Sequence, residues 1–131
     1  MNRRKSIQAL AAASAAAAFS TMEAAPMTAI QLHVDLEVDP AKTKTLETTF
    51  KNTFEPVIRK QQGFVDVKLL RFKKAMVGNG PGKFNYRLLI SFQTEEQRLK
   101  WVASAEHQRV WPEMEKNLTG AKYVPWLYDV A

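Results

Sequence analysis

Ile30-Gln31-Leu32-His33-Val34-Asp35-Leu36-Glu37-Val38 alternates strictly between apolar and polar residues. A period of two sets the five apolar side chains on one face of a strand and the polar ones on the other. Asp39-Pro40 follows at once, an N-cap and a first helical position. Leu46, Phe50, Phe54, Val57 and Ile58 then recur at helical spacing and form one apolar stripe. Pro56 lies inside that stripe and predicts a kink or restart near Thr53. Gly63 ends the helix in a left-handed conformation.

Outward from this β-α start, residues 64–72 read as a second strand, less cleanly alternating. Residues 73–83 contain Gly78-Asn79-Gly80-Pro81-Gly82 and read as a flexible hairpin connection. These glycines lack the Lys-Ser/Thr ending of a phosphate loop, so they mark a turn. Phe84, Tyr86, Leu88, Ile90 and Phe92 alternate with Asn85, Arg87, Leu89 and Ser91 in a third strand. Thr94-Glu95-Glu96-Gln97 is a capping box that opens a second helix, with Leu99, Trp101 and Val102 available to the core. Ser104 is a fresh N-cap. The segment after it places His107, Val110, Trp111, Met114 and Leu118 on one stripe, and Pro112 predicts a break or kink at Trp111. Residues 117–122 read as a turn and 123–130 as a last strand, where Pro125 requires an edge or a bulge.

The order is β-α-β-β-α-β with a split second helix, the α+β ferredoxin-like arrangement. Its helices cover one sheet face. The other mixes His33, Asp35, Asn85, Arg87 and Ser91 with apolar residues such as Leu89, and a half-polar face of this kind pairs with a second copy or lines a wet cavity.

Composition narrows the function classes. A chain of 131 residues, 46% hydrophobic and 10% aromatic, can pack one core. With no cysteine it can hold neither a disulfide nor a thiolate metal site, and two histidines, His33 and His107, make no multi-histidine site. No metal or cofactor is expected. The net charge of +6 is dispersed, and its densest group, Lys68, Arg71, Lys73 and Lys74, reads as a solvated edge rather than a nucleic-acid surface. Part of the charge lies in the first 26 residues, where Arg3, Arg4 and Lys5 precede an alanine-rich apolar run ending near Phe19. Residues 1–26 therefore read as an export signal, with 27–131 the mature domain in the periplasm or outside the cell, and no membrane span remaining after signal removal. Arg3-Arg4 resembles a twin-arginine signal, although Ser6 stands where such signals carry phenylalanine. Translation starting at Met27 would instead leave the protein in the cytoplasm.

The chain from Met27 to Val130 resembles the antibiotic biosynthesis monooxygenase (ABM) family of the dimeric α+β-barrel superfamily. The likeness rests on the alternating first strand, Gly63-Phe64-Val65, the third strand, and Trp101-Val102-Ala103-Ser104-Ala105-Glu106-His107 in the split helix. It implies a homodimer whose two sheets close into a barrel, with an apolar pocket between sheet and helices in each subunit. It also implies a cofactor-independent monooxygenase, its partners a small aromatic quinol or phenol and O2. In that chemistry the substrate is deprotonated, its anion passes an electron to O2, and the radical pair recombines. The alternative is a non-catalytic homodimeric module that binds an apolar small molecule.

Within the resemblance, Trp101 stands where several oxygenases set a tryptophan against the substrate, and it equally suits a core role. His107 stands where phenol-oxidising members carry tyrosine; a base and a hydrogen-bonded core histidine are both open. Gln97 stands where an asparagine is used, yet it also completes the capping box. Trp111 shares the stripe of His107 and joins Gln97 as a candidate substrate contact. His33 and Arg87 would meet on the open sheet face, as substrate contacts or as a polar network inside the barrel. A haem-degrading branch needs an asparagine where Val34 stands and a histidine where Trp111 stands, and is disfavoured.

Overall fold

A computed structural model describes residues 29–131; the export segment and the boundary at residue 26 lie outside the described residues. Strand β1 (Ile30–Val38) leads through a short turn (Pro40–Lys42) into α1 (Thr43–Thr49), a wide π-helical turn (Phe50–Phe54) and α2 (Glu55–Ile58). Strands β2 (Phe64–Arg71) and β3 (Tyr86–Phe92) follow, then α3 (Glu95–Ala103), α4 (Ala105–Glu115) and β4 (Leu118–Asp129). The sheet order is β2-β3-β1-β4, and every neighbouring pair is antiparallel. This is the ferredoxin-like α+β fold with its second helix split.

The helices lie on one face of the sheet. Leu36, Val38, Leu88, Ile90 and Phe92 from the strands meet Leu46, Phe54, Ile58, Trp101, Val110 and Met114 from the helices in one buried core. The proline in the first helical stretch acts as expected. Glu55 N–H bonds Phe50 C=O, five residues back, and the widened turn makes room for the Pro56 ring before the helix restarts. Phe50 and Phe54 stay buried through it.

Three expectations are corrected. Pro112 does not break its helix: α4 runs unbroken from Ala105 to Glu115. The bond it forfeits is to Gln108 C=O, and both residues are exposed, so water replaces the lost donor. Residues 117–122 are not a turn outside the sheet. β4 already begins at Leu118 opposite Val38, then bulges by several residues before Tyr123 pairs with Leu36, with Gly120 at φ 59°. β3 starts at Tyr86 rather than Phe84, because the Asn85 side chain leaves the open face and bonds both the N–H (2.8 Å) and C=O (3.0 Å) of Val38. The irregular pattern of β2 also has a cause. A register shift between Phe64 and Asp66 leaves Val65 exposed and turns Phe64, Val67 and Leu69 to the helix side together. Pro125 sits on β4, an edge strand, where its missing N–H costs no ladder bond.

Candidate functional site

The site is built at the corner between α3 and α4. Thr94 Oγ1 accepts the Gln97 N–H and starts α3. After nine residues α3 is stopped by Ser104, an extended residue that ends one helix and caps the next. Its hydroxyl donates to Trp101 C=O (2.7 Å) and accepts the His107 N–H (3.1 Å). A single serine thus ties the two residues that the sequence singled out. Their rings meet edge to face with centroids 5.0 Å apart.

Around them lies a cavity of about 230 Å³ between helices and sheet. Phe54 meets the edges of Trp101 and Trp111 at 5.9 and 6.3 Å, and Trp111 stacks at 6.4 Å on His107 and packs at 5.2 Å against Tyr123. Leu32, Val34, Leu88 and Ile90 form the sheet-side floor, and Arg98, Val102 and Pro125 complete the wall. The interior is largely aromatic and aliphatic. Among the described residues no acidic side chain lines it, and no three His, Asp or Glu side chains are placed to hold a metal ion.

Burial, assisted by the nearby Arg98 charge, holds His107 below its ordinary pKa, so the ring is neutral at physiological pH. Its Nδ1 is buried without a hydrogen-bond partner among the described residues. That nitrogen is closed off from the cavity, and it is the ring as a whole that borders the space; a neutral imidazole there is equipped to exchange a proton with a bound molecule.

The six residues named from the sequence fall in three places. Trp101, His107 and Trp111 share the cavity. Gln97 does not line it. Its side chain instead covers Gly63, where a Cβ would come within 2.0 Å of Oε1, and that oxygen is buried with no partner among the described residues. The capping box is therefore half made: the Thr94 side accepts its bond, while the amide packs on the glycine. His33 and Arg87 lie across the sheet from the cavity. There Arg87 donates to Asp35 at 2.7 and 3.3 Å, Trp126 Nε1 donates to the same carboxylate at 3.0 Å, and Arg87 Nη1 reaches His33 Nδ1 at 3.5 Å. Burial and the Arg87 charge, opposed by Asp35, lower the His33 pKa.

Phe54, Tyr123, Pro125 and Arg98 in the cavity, and Trp126 on the open face, escaped the sequence reading. Strand parity carried the signal for Tyr123 and Pro125, which pair with Leu36 and Val34 on the helix side, and for Trp126, which pairs with His33. Arg98 gave no signal beyond its place one turn after Glu95.

No family model matches the chain, and no curated protein matches it in sequence. Solved structures do. A candidate antibiotic biosynthesis monooxygenase from Caulobacter crescentus superposes with a TM-score of 0.64 at 18% identity, over 79% of this chain and 90% of that one. SnoaB, a cofactor-independent oxygenase from Streptomyces nogalater, gives a TM-score of 0.54 at 16% identity, over 77% and 89%. The fold is ABM-like. A dimeric ferredoxin-like protein of unknown function from Jannaschia sp. CCS1 shares the ABM-like fold with a TM-score of 0.62 at 10% identity, over 79% and 98%. At these identities the likeness is one of backbone architecture.

Proposed function

We propose that the protein is an exported, homodimeric monooxygenase that oxidises a small aromatic quinol or phenol without a cofactor. The observation that carries this reading is His107. A ring held neutral by burial borders a cavity whose walls are Trp101, Trp111, Phe54 and Tyr123. A flat aromatic molecule fits between such walls by stacking and edge contacts. His107 takes the phenolic proton, and the anion gives one electron to O2. The radicals recombine at a ring carbon, the proton returns to the peroxide so formed, and loss of water leaves a carbonyl. One oxygen atom enters the product and the other leaves as water.

The test is His107→Ala. Loss of a general base should lower turnover by about 10²-fold or more with little change in binding. An unchanged turnover, accompanied only by a lower melting temperature, would assign His107 to packing and leave the cavity as a binding module for apolar molecules. Trp101→Phe is the companion: a stacking wall predicts weaker ligand binding, a core role a stability loss alone.

Dimerisation is supported by the open sheet face, where Leu70, Trp126 and Tyr128 are 43–51% exposed around the Asp35–Arg87 pair. Sedimentation of residues 27–131 should give twice the chain mass at micromolar concentration; a stable monomer there would contradict it. Export is supported by Arg3, Arg4 and the apolar run after them. Mass spectrometry of the native protein should find an N-terminus between residues 20 and 27, and an intact Met1 in a cytoplasmic fraction would contradict it.

A further inference from the structure

Arg98 is the one permanently charged side chain that lines the cavity among the described residues. Its side chain is only 14% exposed. Nε and Nη2 donate to the two carboxylate oxygens of Glu95, at 2.6 and 2.7 Å, three residues earlier on α3. That pair holds the planar guanidinium still. It occupies one edge of the fork and leaves Nη1 with no acceptor among the described residues. A fixed guanidinium with a free donor, bordering a largely apolar cavity, is a receptor for an oxyanion. The other titratable groups bordering the space are His107 and Tyr123, and Glu95 stands behind the guanidinium rather than in the cavity lining. An entering anion therefore meets no like charge on the wall.

Size narrows the ligand. The cavity, at about 230 Å³, exceeds the roughly 150 Å³ that holds a benzene and falls short of the roughly 300 Å³ at which drug-sized pockets begin. One or two rings fit.

We infer that Arg98 is the oxyanion anchor of the cavity, so that the site selects the ionised form of a one- or two-ring phenol over its neutral form. This rests on the phenol reading of the cavity given above. It separates two tasks: His107 receives the proton, and Arg98 holds the oxygen that loses it. The guanidinium stabilises the anion as the proton leaves and not the neutral phenol, which eases a proton transfer that a buried imidazole would otherwise face alone.

The probe is 4-nitrophenol, whose neutral and ionised forms absorb at different wavelengths, titrated into the purified protein across pH. The wild type should bind the ionised form about tenfold or more tightly than the neutral one, so that the bound probe ionises about one unit or more below the free probe. Arg98→Met should cost about tenfold in affinity for the ionised form while leaving the neutral form within about threefold. Glu95→Gln keeps the guanidinium and removes its counter-charge, so preference for the anion should grow. Arg98→Lys should retain part of it. If Arg98→Met keeps the wild-type preference, Arg98 is only the structural partner of Glu95, and the phenol reading survives without this inference. If Arg98→Met does not fold, the other two variants decide: an unchanged preference in both overturns the inference. If the wild type binds neither form, the phenol reading falls and takes the inference with it.

Discussion

Replacing Ser104 by alanine should loosen the corner on which the cavity depends. The hydroxyl caps α4 by accepting the His107 N–H at 3.1 Å, and an N-cap serine contributes about 1 kcal/mol relative to alanine. Its second bond, to Trp101 C=O, adds little, because the Ser104 N–H also donates to that carbonyl at 3.1 Å. The expected loss is therefore about 1 kcal/mol, or roughly 4–8 °C in the melting temperature of a domain of this size. Thermal melts of wild type, Ser104→Ala and Ser104→Asp check it, since aspartate caps as well as serine and should restore most of the loss. The site should respond too. The His107 ring protons lie beside the Trp101 ring, and their displaced NMR resonances should move toward ordinary histidine values in Ser104→Ala and return in Ser104→Asp. Equal melting temperatures for serine and alanine, with unmoved histidine resonances, would refute the claim that this residue sets the corner.

Three further outcomes follow from the same geometry. Both histidines have folded pKa values below 6.5, so the unfolded chain binds more protons just below that pH; stability should fall as pH drops through 6.5, and His107→Gln should flatten the curve measured by denaturant titration. Gly63→Ala should destabilise by more than the roughly 1–2 kcal/mol of a left-handed alanine, since φ is 82° and the new Cβ also displaces Gln97. Adding Gln97→Ala should recover the steric part, and strictly additive effects in that double-mutant cycle would place the glutamine elsewhere. Arg87→Ala should leave the Asp35 carboxylate with Trp126 alone and weaken dimerisation, read as a higher dissociation constant by sedimentation, while leaving the cavity unchanged.

The strands and helices were legible because each announces itself locally. The period of β1, the caps at Asp39, Thr94 and Ser104, and the glycine at 63 act within a few residues of themselves. Where the sequence misleads, a tertiary partner decides. Asn85 alternates perfectly as a strand residue but is drawn to the Val38 backbone, and the residues before Tyr123 look like a turn until pairing with β1 makes them a bulge. Pro112 fails to break α4 because the carbonyl it orphans belongs to Gln108, an exposed residue that water can reach. The site divides in the same way. His107 and Trp111 share one face of α4 and so could be grouped from spacing, while Trp101, on α3, was singled out through the resemblance. Arg98 and Tyr123 join them only through packing across α3 and β4, and the split of His33 and Arg87 to the far side of the sheet follows from strand parity.

Oxygen uptake by the purified protein, measured against a panel of hydroquinones and one- to three-ring phenols alongside metal and flavin assays, tests the central claim most directly. The account predicts consumption of one O2 per substrate molecule, a carbonyl product carrying one oxygen atom from O2, and activity that persists in protein free of metal and flavin. No uptake with any member of the panel, or uptake that appears only when a metal or flavin is added back, would contradict it.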